Sequence, residues 1–242
     1  MSVALCGAGY LFSILQSVFV QQPTGSRVCL SPLIRAALSD WSHLASTIAD
    51  HPIPITTLVP RAPHFVGSVD ASKSGVGGFW LPTCFGTGKP SAFHLPFHST
   101  LSNRLVSVDN PNGTLTINDF ELAALTLATA LVAHYSTTPH ASLWLGNDNS
   151  SAVSWTRCGS TSTTGPNAHL LRWLAQIARQ HDVCLKSILV PGDTNTIADF
   201  CSCSFHLTDS QFLQELNSRF PTDTSWQLVH PTPNMTLKMS CA

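Results

Sequence analysis

Charged residues are scarce in this sequence. Asp, Glu, Lys and Arg together make up 10% of its 242 residues, against roughly 25% in an average globular domain. The formal net charge is −1, so no basic surface indicates a nucleic-acid-binding protein, and any such binding must come from local patches. Hydrophobic residues supply 43% of the chain, which is enough to bury a sizeable core in one large domain, with or without appendages.

Cysteine pairs at metal-binding spacing are also missing. The eight cysteines are scattered, none forms a C-x-x-C pair, and only Cys201 and Cys203 lie close together. This pattern argues against a zinc knuckle and predicts free thiols in a reducing compartment.

The apolar N-terminus lacks the features of a targeting or membrane segment. No Lys or Arg precedes Arg27, so the positive region of a signal peptide is missing. Small and polar residues interrupt the apolar stretch and make it a poor membrane span, namely Gly7, Gly9, Ser13, Gln16 and Ser17. We therefore expect an intracellular protein, in the cytoplasm or the nucleus, that is not secreted and has no membrane partner.

Hydrophobic periodicity divides the chain into three regions. Residues 1–60 are predicted to be helical, most clearly over LIRAALSDWSHLASTIADH, and to end in a Pro-rich linker. Residues 61–206 alternate short strands and helices in the order β-β-β-α-β-α-α-β-α, beginning with a hairpin around a Ser-Gly turn. Residues 207–242 are predicted to form a short helix and an irregular tail.

Four acidic residues fall at predicted strand ends and helix starts. Asp70 and Asp148 each end a strand, whereas Glu121 and Asp199 lie in the first turns of two helices. These positions can converge at one edge of a sheet, where four carboxylates would repel one another and raise their own pKa values. A pair of divalent cations removes that problem. Oxygen ligands without nearby His or Cys suit Mg²⁺ or Mn²⁺, and two such ions promote in-line displacement at phosphorus.

Each acidic residue also has a simpler explanation. Asp70 could start an Asx-turn, and Glu121 could complete a capping box with Asn118. Asp148 could cap the following helix, and Asp199 could be a solvated helical residue. These roles compete with the metal hypothesis for each residue alone, and it is the fixed order of all four that favours a metal site.

The strings around the four carboxylates resemble the RNase H domain of retrotransposon (LTR- or DIRS-like) reverse transcriptases. The four strings follow that family's motifs in the same order and cover about residues 64–205: VDASKSGVGGFW, INDFELAAL, WLGNDNSSAVSW and LVPGDTNTIAD. The resemblance implies a ribonuclease H-like α/β fold, in which a mixed five-stranded sheet has helices on both faces, with an N-terminal helical segment and a C-terminal tail added. It also implies a hydrolase, a metal-dependent endoribonuclease that cleaves the RNA strand of RNA/DNA hybrids.

The resemblance further implies roles for individual residues. Asp70 would bridge two Mg²⁺ ions (or Mn²⁺), Asp199 would help to hold the ion that activates water, and Glu121 and Asp148 would hold the other. The nucleic-acid backbone would lie close to the Gly77–Gly78 pair, because glycine permits close contact. It would also approach a set of small and polar residues: Ser72, Lys73, Gly75, Asn149, Ser150 and Asn195.

The flanking segments and one departure from the family pattern affect the functional hypothesis. Residues 1–60 resemble the end of a reverse transcriptase, which makes the polymerase and other polyprotein regions candidate partners besides an RNA/DNA hybrid, although no Y-x-D-D-type motif is present. Cys203 stands where the family usually has Arg. The few basic residues are too scattered to form a strong phosphate track, so hybrid binding should be weak and salt-sensitive.

Two other functional hypotheses stay open at this stage. The chain could be a catalytically weak or inactive RNase H-like remnant or connection domain with a structural or nucleic-acid-binding role. It could also be a nuclease of the same fold that acts on DNA. The sequence leaves the oligomeric state open.

Overall fold

A computed structural model describes residues 25, 27, 30–47, 62–159, 161 and 165–240. Of the region predicted as an N-terminal helical remnant with a linker, helix α1 (Pro32–Thr47) is the main described part, and most of the rest lies outside the described residues. Within the described ranges, no helix is both long and apolar enough to cross a membrane.

Six strands form one mixed sheet in the order β5-β4-β1-β2-β3-β6. β1, β2 and β3 form an antiparallel meander, β4 and β5 run parallel to β1, and β6 runs parallel to β3. The predicted α/β class with a mixed sheet is confirmed, and a sixth strand of two residues is added at one edge. The strands are β1 (Phe65–Ala71), β2 (Gly75–Pro82), β3 (Ser91–Pro96), β4 (Ser142–Asn147), β5 (Cys184–Leu189) and β6 (Gln227–Leu228).

Helices cover both faces of this sheet. α3 packs on β1, β2 and α5 on the first face, whereas α6 packs on β1, β2 and β3 from the second. The helices that follow α1 are α2 (Ser99–Ser102), α3 (Ile117–Tyr135), α4 (Ser150–Cys158), α5 (Pro166–His181), α6 (Thr196–Cys203), α7 (Asp209–Arg219) and α8 (Pro233–Ser240). Up to α6, the order of the main strands and helices is the predicted one, with the one-turn α2 added.

The first face is built around α3. Every residue of this helix from Asp119 to Val132 is buried, as expected for a helix that is apolar on nearly all sides. Two buried threonines in it satisfy their hydroxyls on the preceding helical turn, because Thr126 and Thr129 donate to carbonyls at 2.8 Å. The helix can therefore lie between the sheet and α5 without unpaired polar groups, and its first turns are held firmly at the sheet edge.

The second face is completed by the C-terminal segment. Phe212 and Leu216 of α7 are fully buried with Cys201 of α6, and Trp226 covers them beside β6. The tail that was predicted to be irregular thus contains β6 and α8 in addition to the predicted short helix. Sequence patterning missed β6 because two residues are too few to show a strand period, and its pairing with β3 depends on tertiary contacts.

Candidate metal centre

Three acidic side chains meet at the edge of the sheet where parallel strands β1 and β4 end. Asp70 lies near the end of β1, Asp148 directly follows β4, and Glu121 points in from the first turns of α3. One oxygen from each of the three carboxylates lies within 4.8 Å of the other two. Glu121 is buried, Asp70 is half-buried and Asp148 is exposed, so the cluster opens to solvent on the Asp148 side.

Glu121 is not needed to cap its own helix. The N-cap of α3 is Thr116, and Asp119 completes the capping box by accepting the Thr116 N–H at 2.8 Å. The predicted capping pair of Asn118 and Glu121 was therefore wrong by two residues. With the helix end already satisfied, the Glu121 carboxylate is free to face the sheet edge.

Asp148 is likewise released from a capping role. The N-cap of α4 is Asn149, whose Oδ1 accepts the Ala152 N–H at 3.0 Å. The loop after β5 approaches from the other side, since a Cβ at Gly192 would lie 2.9 Å from Asp148 Oδ2. Neither the start of α4 nor the loop after β5 draws the Asp148 carboxylate out of the acidic cluster.

Burial and mutual repulsion raise the pKa values of two of these acids. Burial is the main reason that the pKa of Glu121 rises to about 8, although the Asn147 amide, which donates to Glu121 Oε2 at 2.8 Å, opposes that rise. Burial also raises the pKa of Asp70, with Asp148 and Asp199 adding to the rise and a hydrogen bond from Ser202 opposing it. Clustering of these acidic groups therefore costs free energy unless a cation is bound.

The donor set fits a hard divalent cation. Three carboxylates supply oxygen ligands alone, as Mg²⁺ and Mn²⁺ prefer. Within the described ranges, no Lys, Arg or His forms an ion pair with any of the three. A bound divalent cation would supply positive charge that relieves their repulsion.

Asp199 stays outside this close cluster. It lies in the first turn of α6 and is exposed, and its charge contributes to the raised pKa of Asp70. One turn further on, the thiol of Cys203 lies 3.6 Å from Asp199 Oδ1, and a thiol is only a weak hydrogen-bond donor. The structure thus brings together three of the four predicted ligands and places the fourth nearby on another element.

The exposed candidates for nucleic-acid contact surround this edge. Lys73 lies in the β1–β2 turn, and Ser150 begins α4; both are exposed. Asn149 is half-buried, and its Nδ2 donates to Asn118 Oδ1 at 2.8 Å. Ser72 is half-buried too, but its hydroxyl donates to the Ser202 carbonyl at 2.7 Å, so it ties the hairpin to α6.

Other candidates face the protein interior, contrary to the expectation from sequence. Asn195 is 4% exposed and bonds to β1 through its side chain. Gly75 is buried, and a Cβ there would lie 2.3 Å from the Leu95 carbonyl oxygen. A Cβ at Gly77 would lie 2.3 Å from the backbone of Cys201 in α6, and one at Gly78 would lie 2.7 Å from the Ser68 carbonyl oxygen. These glycines permit close packing of protein elements, so contact with a nucleic acid does not explain them.

Sequence reasoning missed two side chains that organise the site. Asn147 is fully buried and donates to Glu121, and Ser202, also fully buried, donates to Asp70 Oδ2. Signals for both were present: Asn147 ends an otherwise apolar strand just before Asp148, and Ser202 lies three residues after Asp199 on the same side of a helix.

No protein-family model matches this chain, and no curated protein matches it in sequence. Among solved structures, the chain is similar to RNase H1 from the halophilic archaeon Halobacterium salinarum NRC-1, with 19% sequence identity and a TM-score of 0.40. The similarity covers 57% of this chain and 92% of that one. The similarity is low, so the functional proposal depends on the side-chain geometry and on the sequence motifs.

Proposed function

We propose that this chain is a divalent-metal-dependent endoribonuclease that cleaves the RNA strand of RNA/DNA hybrids. The observation that carries the proposal is the convergence of the Asp70, Glu121 and Asp148 carboxylates within 4.8 Å of one another. Their order along the chain, and the motif strings in which they lie, support a ribonuclease H over other metal hydrolases.

The acidic residues would hold two Mg²⁺ ions, with Mn²⁺ as the alternative. Asp70, Glu121 and Asp148 would supply the main ligands, and Asp199 would add a fourth carboxylate from α6. When bound, the ions supply Lewis acidity and lower the pKa of water for attack on a phosphodiester. The chain itself keeps these oxygens in place, because Ser202 orients Asp70 and Asn147 orients Glu121.

The substrate would be held weakly and mainly by neutral groups. The chain has 12 Lys and Arg against 13 Asp and Glu, so few phosphate contacts can come from charge, and binding should be weak. Lys73, Asn149 and Ser150 are the best-placed candidates to contact the backbone beside the carboxylates. Selection of the RNA strand would depend on contacts to its 2′-hydroxyls.

The wider context is also a proposal. The resemblance of the motifs and flanks supports an origin in the reverse transcriptase polyprotein of a retroelement, with residues 61–206 as the nuclease domain. It also supports action inside the cell, where such hybrids form. The polymerase region would then be a partner of this chain.

The direct test is Mg²⁺-dependent cleavage of a labelled RNA/DNA hybrid by the full chain. We expect cleavage with EDTA-sensitive kinetics, and a loss of at least about 100-fold in rate for Asp70→Asn, because this change removes a ligand charge with almost no change in size. Asp209→Asn is the matched control, since Asp209 is 60% exposed and starts α7 on the second face of the sheet.

The outcomes separate the three functional hypotheses. Equal activity of Asp70→Asn and the unchanged chain would overturn the proposal. No cleavage by the unchanged chain would support an inactive remnant instead. Cleavage of an all-DNA duplex at a rate similar to that of the hybrid would favour a DNA nuclease of the same fold.

A further inference from the structure

Backbone pairing between β1 and β4 stops just before the metal centre. The register runs from Phe65–Leu143 to Ser68–Gly146 and ends there, although β1 continues to Ala71 and β4 to Asn147. Continued in the same register, the pairing would place Asp70 directly beside Asp148. Beyond Ser68 and Gly146, hydrogen bonds from side chains replace the backbone pairing between the two strands.

Two buried asparagine amides converge on one backbone carbonyl at this point. Asn147 Nδ2 donates to Val69 O at 3.3 Å, and Asn195 Nδ2 donates to the same oxygen at 3.1 Å. The two residues are 0% and 4% exposed. A carbonyl oxygen has two lone pairs and can accept both bonds, so Val69 O joins the end of β4 to the start of α6.

Asn147 connects this carbonyl to two of the acidic residues. Its amide also donates to Glu121 Oε2 at 2.8 Å. Its Oδ1 accepts the Asn149 N–H at 2.9 Å, which fixes the backbone on both sides of Asp148. One buried side chain therefore sets the position of Glu121 relative to Asp148.

Asn195 connects the same carbonyl to the fourth acidic residue. It occupies the N-cap position of α6, and its carbonyl accepts the Asp199 N–H at 3.0 Å. Its Oδ1 accepts the Ser68 hydroxyl on β1. Because Val69 directly precedes Asp70, the position of every acidic residue of the site is linked to a single peptide group.

We propose that Asn147 and Asn195 are positioning residues that preset the spacing of all four carboxylates through the shared Val69 carbonyl. They hold the acidic groups together before any ion binds, so that binding costs little rearrangement. This inference rests on the proposed function only in taking the acidic cluster to be a metal site.

The physical basis is the balance between repulsion and a buried polar network. Acidic groups that ionise this close together without a cation repel one another, and this repulsion favours separation of β1, β4, α3 and α6. A buried hydrogen-bond network whose members are satisfied is rigid and resists that separation. Side chains that orient metal ligands in this way typically affect metal affinity by roughly 10- to 100-fold.

The test is calorimetric titration of the full chain with Mg²⁺, using Asn147→Ala, Asn195→Ala and the double variant. We expect each single variant to bind Mg²⁺ roughly tenfold more weakly or worse. Because both residues act through one carbonyl, the loss in the double variant should be smaller than the product of the single losses. Unchanged affinity in the single variants, or a loss in the double variant equal to that product, would overturn the inference.

A matched control separates positioning from stability. Asn217 also uses its amide to join two segments, donating to Leu213 O at 2.7 Å and accepting the Trp226 N–H at 3.1 Å, but it lies in α7 on the second face. Asn217→Ala should lower the melting temperature and leave Mg²⁺ affinity unchanged. If the two site variants behave in the same way as this control, their role is structural and the inference fails.

Two provisions keep the test decisive. Should an alanine variant not fold, the serine variants Asn147→Ser and Asn195→Ser retain a short hydroxyl and are titrated instead, with the same expectations. Hybrid cleavage is not a readout here. A chain that binds Mg²⁺ with this dependence but cleaves no hybrid would refute the proposed function alone. Site variants that bind Mg²⁺ as tightly as the unchanged chain would refute the present inference alone, and a chain that binds no Mg²⁺ would refute both.

Discussion

At the scale of single residues, Glu121 imposes the largest electrostatic cost that the site shows. Its side chain is buried at 4% exposure beside two other carboxylates, and its pKa rises to about 8 from a usual value of 4.5. Below pH 4.5 the group is protonated in both the folded and the unfolded chain. Between pH 4.5 and 8 only the unfolded chain ionises, so stability falls as pH rises through this window.

Glu121→Gln should remove this pH-dependent penalty. In EDTA, we expect the free energy of unfolding of the unchanged chain to fall relative to that of the variant between pH 5 and pH 8, by up to about 3 kcal/mol. Gln keeps an oxygen that can accept from Asn147. Urea denaturation at the two pH values measures the difference, with Glu215→Gln as the control at a side chain that is 43% exposed.

Addition of Mg²⁺ gives a second readout of the same effect. A bound cation favours the ionised Glu121, so Mg²⁺ at pH 8 should stabilise the unchanged chain more than the variant. A Glu121→Gln chain whose stability has the same pH dependence as the unchanged chain would show that burial of this carboxylate is not the cause.

The sequence predicted this site only in part, for a physical reason. Strand ends and helix starts mark Asp70, Glu121 and Asp148, because local patterning shows where elements begin and end. It does not show that Asn147 and Asn195 share a carbonyl, or that Asn195 faces inward, because those contacts depend on how distant elements pack. Asn195 therefore stood among the candidates for nucleic-acid contact, although its side chain is buried.

At the scale of elements, the distance between α6 and β2 controls how Asp70 is supported. A Cβ at Gly77 would lie 2.3 Å from the Cys201 carbonyl carbon and 2.4 Å from the Ser202 nitrogen. Both are backbone atoms of α6, so no side-chain rotation can relieve the contact. Close approach here is what allows Ser202 to donate to Asp70.

Gly77→Ala should therefore push α6 away from the sheet. We expect a loss of about 1–3 kcal/mol in the free energy of unfolding, together with weaker Mg²⁺ binding by the folded protein. Gly86→Ala is the control, because its Cβ would meet the His64 carbonyl oxygen at 2.1 Å, beside the start of β1. The control should lose stability and retain Mg²⁺ affinity, whereas equal Mg²⁺ affinity in both variants would contradict the role of α6.

At the scale of the whole molecule, the segment after residue 206 is part of the same folded body. Trp226 is 4% exposed, and its indole donates to Phe220 O at 2.7 Å. Asp209 at the start of α7 contacts His94 of β3 at 3.7 Å and His230 at 3.3 Å. The boundary proposed after residue 206 thus divides one apolar cluster, in which Cys201 of α6 packs with Phe212 and Leu216 of α7. Sequence composition alone did not reveal this packing.

A substitution at Phe212 tests whether the segment after residue 206 unfolds together with the sheet. It is fully buried, and its ring lies 5.2 Å from that of Phe200 in α6 and 4.3 Å from that of His94 in β3. Phe212→Ala should lower the free energy of unfolding by about 3–5 kcal/mol, because it leaves a cavity between the C-terminal segment and the sheet. Phe85→Ala, at a side chain that is 61% exposed, should lower the free energy of unfolding by less than about 1 kcal/mol.

Urea denaturation of Phe212→Ala separates the two possibilities. If residues 207–242 were a separate appendage, this variant would show an unchanged main transition. If the chain unfolds as one cooperative body, Phe212→Ala should instead give a single transition shifted to lower urea. Near the midpoint of that transition, α6 should no longer support Asp70, so Mg²⁺ binding should be weaker.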